Sequence, residues 1–339
     1  MNLKQLWCNW KSFVFVGCVI CLPLSVKAGD TATVDSFKVA STYTGKPTTD
    51  AFGRSVASTT IRWRLYVPKG YDPSAAATYP LVFTLHGVGE GGTDNRLQLK
   101  YRFNRMWADD TMQAKQKMFV LAPQNVNSST TWTLVASTTT PVSYATQTIN
   151  PGLSAAVQLL DSLLVAYKID TNRLYLSGES SGGYGTWYLM ARYPKRWAAA
   201  LPDAACADTN QAVVNTFLAT PIWIFHGSAD PTVNVNCGRQ MIASLRRAYA
   251  AASKDTTNTL RYSEYAGVQH NSWENASRDP KVMPWTVSKS VTTNSVAIHH
   301  NFRKPVNTSG HLSTVKKVDG LGRQDDKSPS LKTFKIGNK

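Results

Sequence analysis

An α/β fold, with a mostly parallel central sheet and helices on both faces, is predicted by three features of the sequence. Short, nearly continuous apolar runs recur through the middle of the chain. Segments with helical spacing of leucine and other apolar residues lie between them. Glycine-rich or polar turns close several of the runs. Such runs suit strands buried on both faces, and their alternation with helices makes the sheet parallel and covers it on both sides. With 42% hydrophobic and 17% charged residues among 339, the chain can fill a core, which excludes a mostly disordered protein.

The elements follow in order. Residues 1–28 read as a signal peptide. Lys4 and Lys11 are basic, Ser12 to Val26 is apolar apart from Pro23, and Val26-Lys27-Ala28 offers small residues for cleavage after Ala28. The apolar run falls short of the roughly 20 residues a membrane span needs. The expectation is an exported protein, secreted or periplasmic, with no membrane span after cleavage. Thr59 to Pro68 alternates β-branched and aromatic residues with polar ones, as a strand does. Tyr79–His86, Met118–Ala122, Arg173–Ser177 and Pro221–His226 are the buried-strand runs, and Leu260–Ala266 is the last strand. Leu153–Tyr167, with Leu159, Leu160, Leu163 and Leu164 at helical spacing, is a helix, as are Tyr184–Tyr193 and Cys237–Ala251. Beyond Thr286 the composition turns to Lys, Ser, Thr, Asn and Gly without sustained period. The expected organisation is a catalytic domain over 29–290 and a basic, flexible tail over 291–339.

Charge excludes one function class. The formal net charge is +16, but residues 1–28 hold three Lys and no acid, and residues 286–339 hold ten Lys/Arg against three Asp. Most of the excess lies outside the folded middle, so no nucleic-acid partner is expected. Of five Cys, the mature chain keeps Cys206 and Cys237. Both follow carboxyl ends of strands expected to be neighbours, so a disulfide between them is expected in an exported protein. No CxxC motif or Cys/His cluster is present, and neither a metal nor a cofactor is expected.

In a parallel α/β sheet the ligand sits beyond the carboxyl ends of the strands, and three strand ends here carry chemistry. Gly178-Glu179-Ser180-Ser181-Gly182 is a G-x-S-x-G placed between a strand and a helix. That sharp reversal leaves the Ser180 hydroxyl protruding, in front of a helix N-terminus. After Tyr79–His86 comes Gly87-Val88-Gly89-Glu90-Gly91-Gly92, a loop that can turn the Val88 N–H toward the nucleophile. With the Ser181 N–H it makes a two-donor oxyanion hole. After Pro221–His226 comes Asp230, an acceptor for a histidine, with Asp203 as a rival acid. Of six His, His86 and His226 end strands, three lie in the tail, and His270 remains, in the loop after the last strand. The order Ser180, Asp230, His270 is the α/β-hydrolase order.

The blocks Tyr79–Asn95, Arg173–Pro202, Pro221–Val233 and Tyr265–Trp273 together resemble the secreted carboxylesterase branch of the α/β-hydrolases. That branch is similar to feruloyl and acetylxylan esterases, polyhydroxybutyrate depolymerase-like proteins and predicted peptidases. The resemblance runs from about Thr59 to Trp285. It implies a serine carboxylesterase, with Ser180, His270 and Asp230 as triad and Val88 and Ser181 as oxyanion donors. It implies an acyl-enzyme intermediate and an ester substrate, small molecule or polymer, on a polysaccharide or polyester. It also implies that Trp132, after Pro123-Gln124, lines the acyl pocket and that Trp273 is the substrate-side aromatic after the histidine. A peptidase on the same triad and a non-catalytic surface-binding protein are the alternatives. Two departures stand out: the tail matches nothing in the family, and Glu179 stands where an apolar residue is expected.

Overall fold

The apolar runs become the inner strands of an eight-stranded sheet. The computed structural model describes residues 28–291 apart from 51–53, 134–136, 146 and 148. Its strands are β1 (Val39–Gly45), β2 (Thr48–Thr49), β3 (Ser55–Val56), β4 (Thr59–Tyr66), β5 (Tyr79–Leu85), β6 (Phe119–Gln124), β7 (Ile169–Glu179), β8 (Ala199–Asp203), β9 (Ile222–Gly227) and β10 (Leu260–Tyr265). The sheet order is β1-β4-β6-β5-β7-β8-β9-β10, while β2 and β3 form a separate pair. From β6 to β10 every neighbouring pair is parallel; β4 runs antiparallel to both β1 and β6.

Side chains alternate across the sheet with a period of two, and so fill two cores. Leu81, Phe83, Leu121, Leu176 and Ile224 point to one face, and Val82, Val120, Tyr175, Trp223 and Phe225 to the other. The first face is covered by α4 (Pro151–Ala166), α5 (Ser181–Arg192), α6 (Gln211–Phe217) and α7 (Asn236–Ala251). The second is covered by shorter helices: α1 (Ala28–Asp35), α2 (Arg102–Arg105), α3 (Asp110–Lys115), α8 (Trp273–Ala276) and α9 (Val282–Val287). Burying one such Leu, Ile or Phe contributes roughly 1.5–3 kcal/mol, which is why the inner strands read as unbroken apolar runs. At the start of α4, Asn150 accepts from the Gly152 N–H at 2.7 Å, with Pro151 in the first turn. That is the expected stop-and-start chemistry of a helix entry.

The fold departs from the sequence expectation at its beginning. β1 to β3 and α1 precede the Thr59 strand, with Val34 and Phe37 packed in the second core. The expected signal peptide and tail lie outside the described residues, apart from Ala28 and Val291 at their inner ends. The Val291 N–H bonds the Asn172 carbonyl at 2.8 Å. Among the described residues no helix is long and apolar enough to cross a membrane, and no group of three or more His, Cys, Asp or Glu is arranged to hold a metal ion.

Candidate active site

β7 ends at Glu179 and α5 begins at Ser181, so the chain reverses at Ser180 alone. Ser180 sits at φ 53°, ψ −118°, a conformation disfavoured for any residue with a side chain. It persists because both its peptide groups are held. The Ser180 N–H bonds the Asp203 carbonyl at 2.9 Å and its carbonyl accepts from Tyr184 N at 3.0 Å. The glycines of the motif have a steric cause. A Cβ on Gly182 would lie 1.9 Å from the Leu85 carbonyl oxygen, and one on Gly178 would lie 2.4 Å from the Gly182 carbonyl oxygen. Only bare backbone lets α5 press so closely on β5 and β7.

The loop after β5 lies against this elbow: a Cβ on Gly87 would stand 3.6 Å from the Ser180 Cβ. The loop is pinned from behind. Gly89 N bonds Ser128 O at 2.9 Å, Gly92 N bonds Asn125 O at 2.8 Å, and Gln124 Nε2 bonds Glu90 O at 2.9 Å. Among the described residues the Val88 N–H meets no acceptor. The Ser181 N–H, first in α5, has no intrahelical one. Ser181 adjoins Ser180 in the chain, and Val88 follows the Gly87 that lies against it.

The chain of hydrogen bonds continues across the neighbouring strand ends. Ser180 Oγ lies 2.9 Å from His270 Nε2, and His270 Nδ1 lies 2.8 Å from Asp230 Oδ2. The Asp230 carboxylate is buried, and its Oδ1 accepts from the Thr232 and Val233 N–H groups. Burial alone would raise its pKa. The hydrogen bonds from His226, His270 and Val233 outweigh this and hold the carboxyl well below the ordinary range. Asp230 is therefore anionic at neutral pH, and the His270 Nδ1 facing it carries the proton. Nε2 is left as acceptor for the serine hydroxyl. Asp203, the rival acid, is fully buried and accepts from the Ser272 hydroxyl rather than from His270. Burial pushes its carboxyl up to about 7.

Three contributors were not legible as site residues. Both strand-ending histidines hold the loops that follow them. His226 Nε2 bonds the Val233 carbonyl at 2.9 Å and stands 3.4 Å from Asp230 Oδ2, behind the acid. His86 Nδ1 donates to the Gly87 carbonyl at 2.6 Å while its Nε2 accepts from Asn125 N at 3.0 Å. Burial lowers its pKa to about 4, so it stays neutral. Gly227 admits the His270 loop: a Cβ there would lie 2.1 Å from the Gln269 carbonyl oxygen. A glycine directly after a strand-ending histidine was the available signal.

Trp132 requires a correction. Expected to line a pocket, it is fully buried, with its indole N–H on the His86 carbonyl at 2.8 Å and its ring 4.8 Å from the His86 ring. Its backbone N–H bonds Ser181 Oγ at 3.0 Å. It packs beneath the loop after β5 and has no exposed surface. Trp273 is also buried, at 5% exposure, with its ring edge-on to His270 at 5.2 Å and 5.3 Å from Tyr101. It backs the histidine more than it faces the site. Cys206 and Cys237 form the expected disulfide, Cα to Cα 4.7 Å, joining the segment after β8 to the first turn of α7.

Comparison with known proteins gives the family and the fold. Residues 55–301 match the model of the Esterase family, described as "Putative esterase". A bifunctional acetylxylan esterase/xylanase, XynS20E of Neocallimastix patriciarum, is 26% identical over 196 residues, 58% of this chain but only 25% of that protein. The crystal structure of a thermostable esterase superposes with a TM-score of 0.59 at 30% identity, over 72% of this chain and 70% of the other. A protein designated FAE superposes with a TM-score of 0.50 at 15% identity, over 73% and 88%, a likeness of fold.

Proposed function

The chain belongs to the Esterase family and is a carboxylesterase of the α/β-hydrolase fold, and from that premise we propose that Ser180, His270 and Asp230 are its catalytic triad. The observation that carries the reading is the unbroken chain of hydrogen bonds from Ser180 Oγ through His270 to the buried Asp230 carboxylate. Ser180 Oγ attacks the ester carbonyl as its proton passes to His270 Nε2. The carbonyl oxygen becomes an oxyanion and takes the Val88 and Ser181 N–H groups as donors. Collapse expels the alcohol, which leaves with the proton from His270, and Ser180 keeps the acyl group. Water, deprotonated by the same nitrogen, releases the acid and restores the serine. Asp230 holds the tautomer and stabilises the imidazolium throughout.

The substrate in this reading is an ester carried on a polysaccharide or a polyester, the first supported by the acetylxylan esterase relative. Export is part of the same proposal: residues 1–28 have the pattern of a cleaved signal, and a disulfide suits an oxidising compartment. The test is Ser180→Ala. It should fold normally and lose about 10⁴-fold or more in kcat on p-nitrophenyl acetate. The wild type should then be screened on acetylated xylan, methyl ferulate and short polyhydroxybutyrate. A fully active Ser180→Ala with an inactive Ser181→Ala would reassign the nucleophile.

A further inference from the structure

We propose that Glu179 is a positioning residue for ester hydrolysis: its buried carboxyl ties the oxyanion loop to the nucleophile elbow and so sets the direction of the Val88 N–H. The inference rests on the reading of Ser180 as nucleophile and Val88 as oxyanion donor. Glu179 immediately precedes Ser180 and is fully buried. Its Oε1 accepts from the Gly87 N–H at 3.0 Å and from Asn104 Nδ2 at 2.9 Å. Asn104 is held in turn by the Thr84 hydroxyl at 2.5 Å, and Ser177 donates to Thr84 at 3.2 Å. One carboxyl thus joins β5, β7, α2 and the loop.

The consequence is geometric. Gly87 has two peptide groups. The one before it carries the Gly87 N–H, held by Glu179. The one after it carries the Gly87 carbonyl, held by His86, and the Val88 N–H. Because a trans peptide is planar, its N–H points opposite to its C=O. Clamping Gly87 on both sides therefore aims the Val88 N–H. Without Glu179 the glycine, lacking a Cβ, is the residue freest to turn.

The tether works as a neutral acid. Glu179 Oε2 has no partner among the described residues, and the nearby Glu90 carboxylate, paired with Lys100 Nζ at 3.4 Å, repels a second charge. Burial first, and Glu90 second, raise the Glu179 pKa well above the usual carboxylate range. A neutral acid accepts both hydrogen bonds through its carbonyl oxygen, and so does a glutamine. A merely structural buried acid predicts stability changes only. A positioning acid predicts a selective loss in the transition state.

The experiment compares Ser180→Ala, Glu179→Leu, Glu179→Asp and Glu179→Gln in the full chain. It measures kcat and KM on p-nitrophenyl acetate, the affinity of a trifluoromethyl ketone that adds to the serine as an oxyanion, and melting temperature. Removing an oxyanion donor outright costs about 10²–10³ in kcat, so loosening one should cost roughly tenfold or more. Glu179→Leu should show that loss at nearly unchanged KM, with the same factor lost in ketone affinity. Glu179→Gln should restore most of both. If the Leu variant does not fold, Glu179→Asp, one methylene too short for the tether, should show the same pattern. A folded Leu or Asp variant with wild-type kcat, beside an inactive Ser180→Ala, overturns this inference alone. A Gln variant as impaired as a folded Leu variant also overturns it. An active Ser180→Ala overturns it together with the catalytic reading.

Discussion

The two arms of the site are held by different forces. The Ser180 arm is backbone packed on backbone: α5 lies against β5 and β7 with carbonyl oxygens where a Cβ would be, and the surrounding strand ends are buried. The Asp230–His270 arm is built from loops beyond β9 and β10. It is partly exposed and is joined by side-chain hydrogen bonds between residues 40 apart in sequence. Sterics make the first arm stiff and local. Electrostatics make the second adjustable and long-range. Rupture of each arm should therefore fail in a different way: the first by loss of the fold, the second by loss of activity in a folded protein.

The largest expected effect is on the second arm. Asp230→Asn should lower kcat by about 10⁴-fold, because an amide does not hold the Nδ1-protonated tautomer. Asp203→Asn should cost less than about tenfold, since Asp203 bonds Ser272 rather than His270. Steady-state rates on a soluble p-nitrophenyl ester decide it; equal losses would erase the distinction between the two acids.

Glycine substitutions sharpen the contrast. Gly182→Ala places a methyl 1.9 Å from a strand carbonyl, and strand and helix have no direction in which to yield. It should cost more than about 4 kcal/mol, an overpacking effect at the extreme of single substitutions, read as the midpoint of urea unfolding. Gly227→Ala meets a loop instead, at 2.1 Å from Gln269 O, and the loop can move aside. Its stability loss should be smaller and its loss of kcat proportionately larger, as His270 is carried away from Ser180. Similar stability losses for both would show that the arms are equally rigid.

The same contrast explains what was legible from sequence. The elbow is a local steric solution, so its glycines, serine and flanking strand and helix sit within a few residues and read as one motif. The strands of the parallel sheet were legible because burial on both faces forces apolar runs. β1 was not: it lies at an edge, with Val39 and Tyr43 intermediate in exposure and Thr42 and Thr44 exposed, so no face of it is a buried apolar row. Asp230 and His270 were reached through elimination and resemblance, since no local pattern encodes a hydrogen bond across 40 residues. His226 behind the acid, and Glu179 behind the loop, are visible only once the strands are side by side. Trp132 shows the limit of carrying a role over from a resemblance. Its segment does lie by the site, yet the side chain turns inward, because the indole N–H finds the His86 carbonyl.

The disulfide belongs to the second arm. It closes a loop with a sequence separation of 31 and fastens α7, just beyond the Asp230 loop, to the end of β8. Chain-entropy arguments give such a loop about 3–4 kcal/mol, equivalent to roughly 5–10 °C in a domain of this size. Mild reductant should lower melting temperature and activity together, and unreduced peptides should show Cys206 joined to Cys237 by mass spectrometry. A reduced protein with unchanged Tm and kcat would leave the second arm resting on its hydrogen bonds alone.

A last contrast separates the two aspartates by pH. Asp203 is buried at the end of β8, with Oδ2 unpartnered and Oδ1 bonded to Ser272, and burial holds its carboxyl up to about 7 in the folded protein. In the unfolded chain it titrates near 3.9. Between these values the unfolded chain has released its proton while the folded one retains it. Protons are then bound preferentially by the folded state, and stability falls as pH rises. The contribution is fully present below about pH 4 and is lost as pH rises through about 7, at a slope of at most ~1.4 kcal/mol per pH unit. Asp230 has the opposite sign: its folded carboxyl lies below the ordinary range, so its contribution is present above about pH 4 and is lost in acid. Asp203→Asn should therefore flatten the decline in urea-unfolding stability between pH 4 and 7 while leaving the acid-side loss in place. Asp230→Asn should do the reverse. If both variants change the same limb, the two carboxyls titrate as one group, and the separation between the acid bonded to Ser272 and the acid facing His270 is lost.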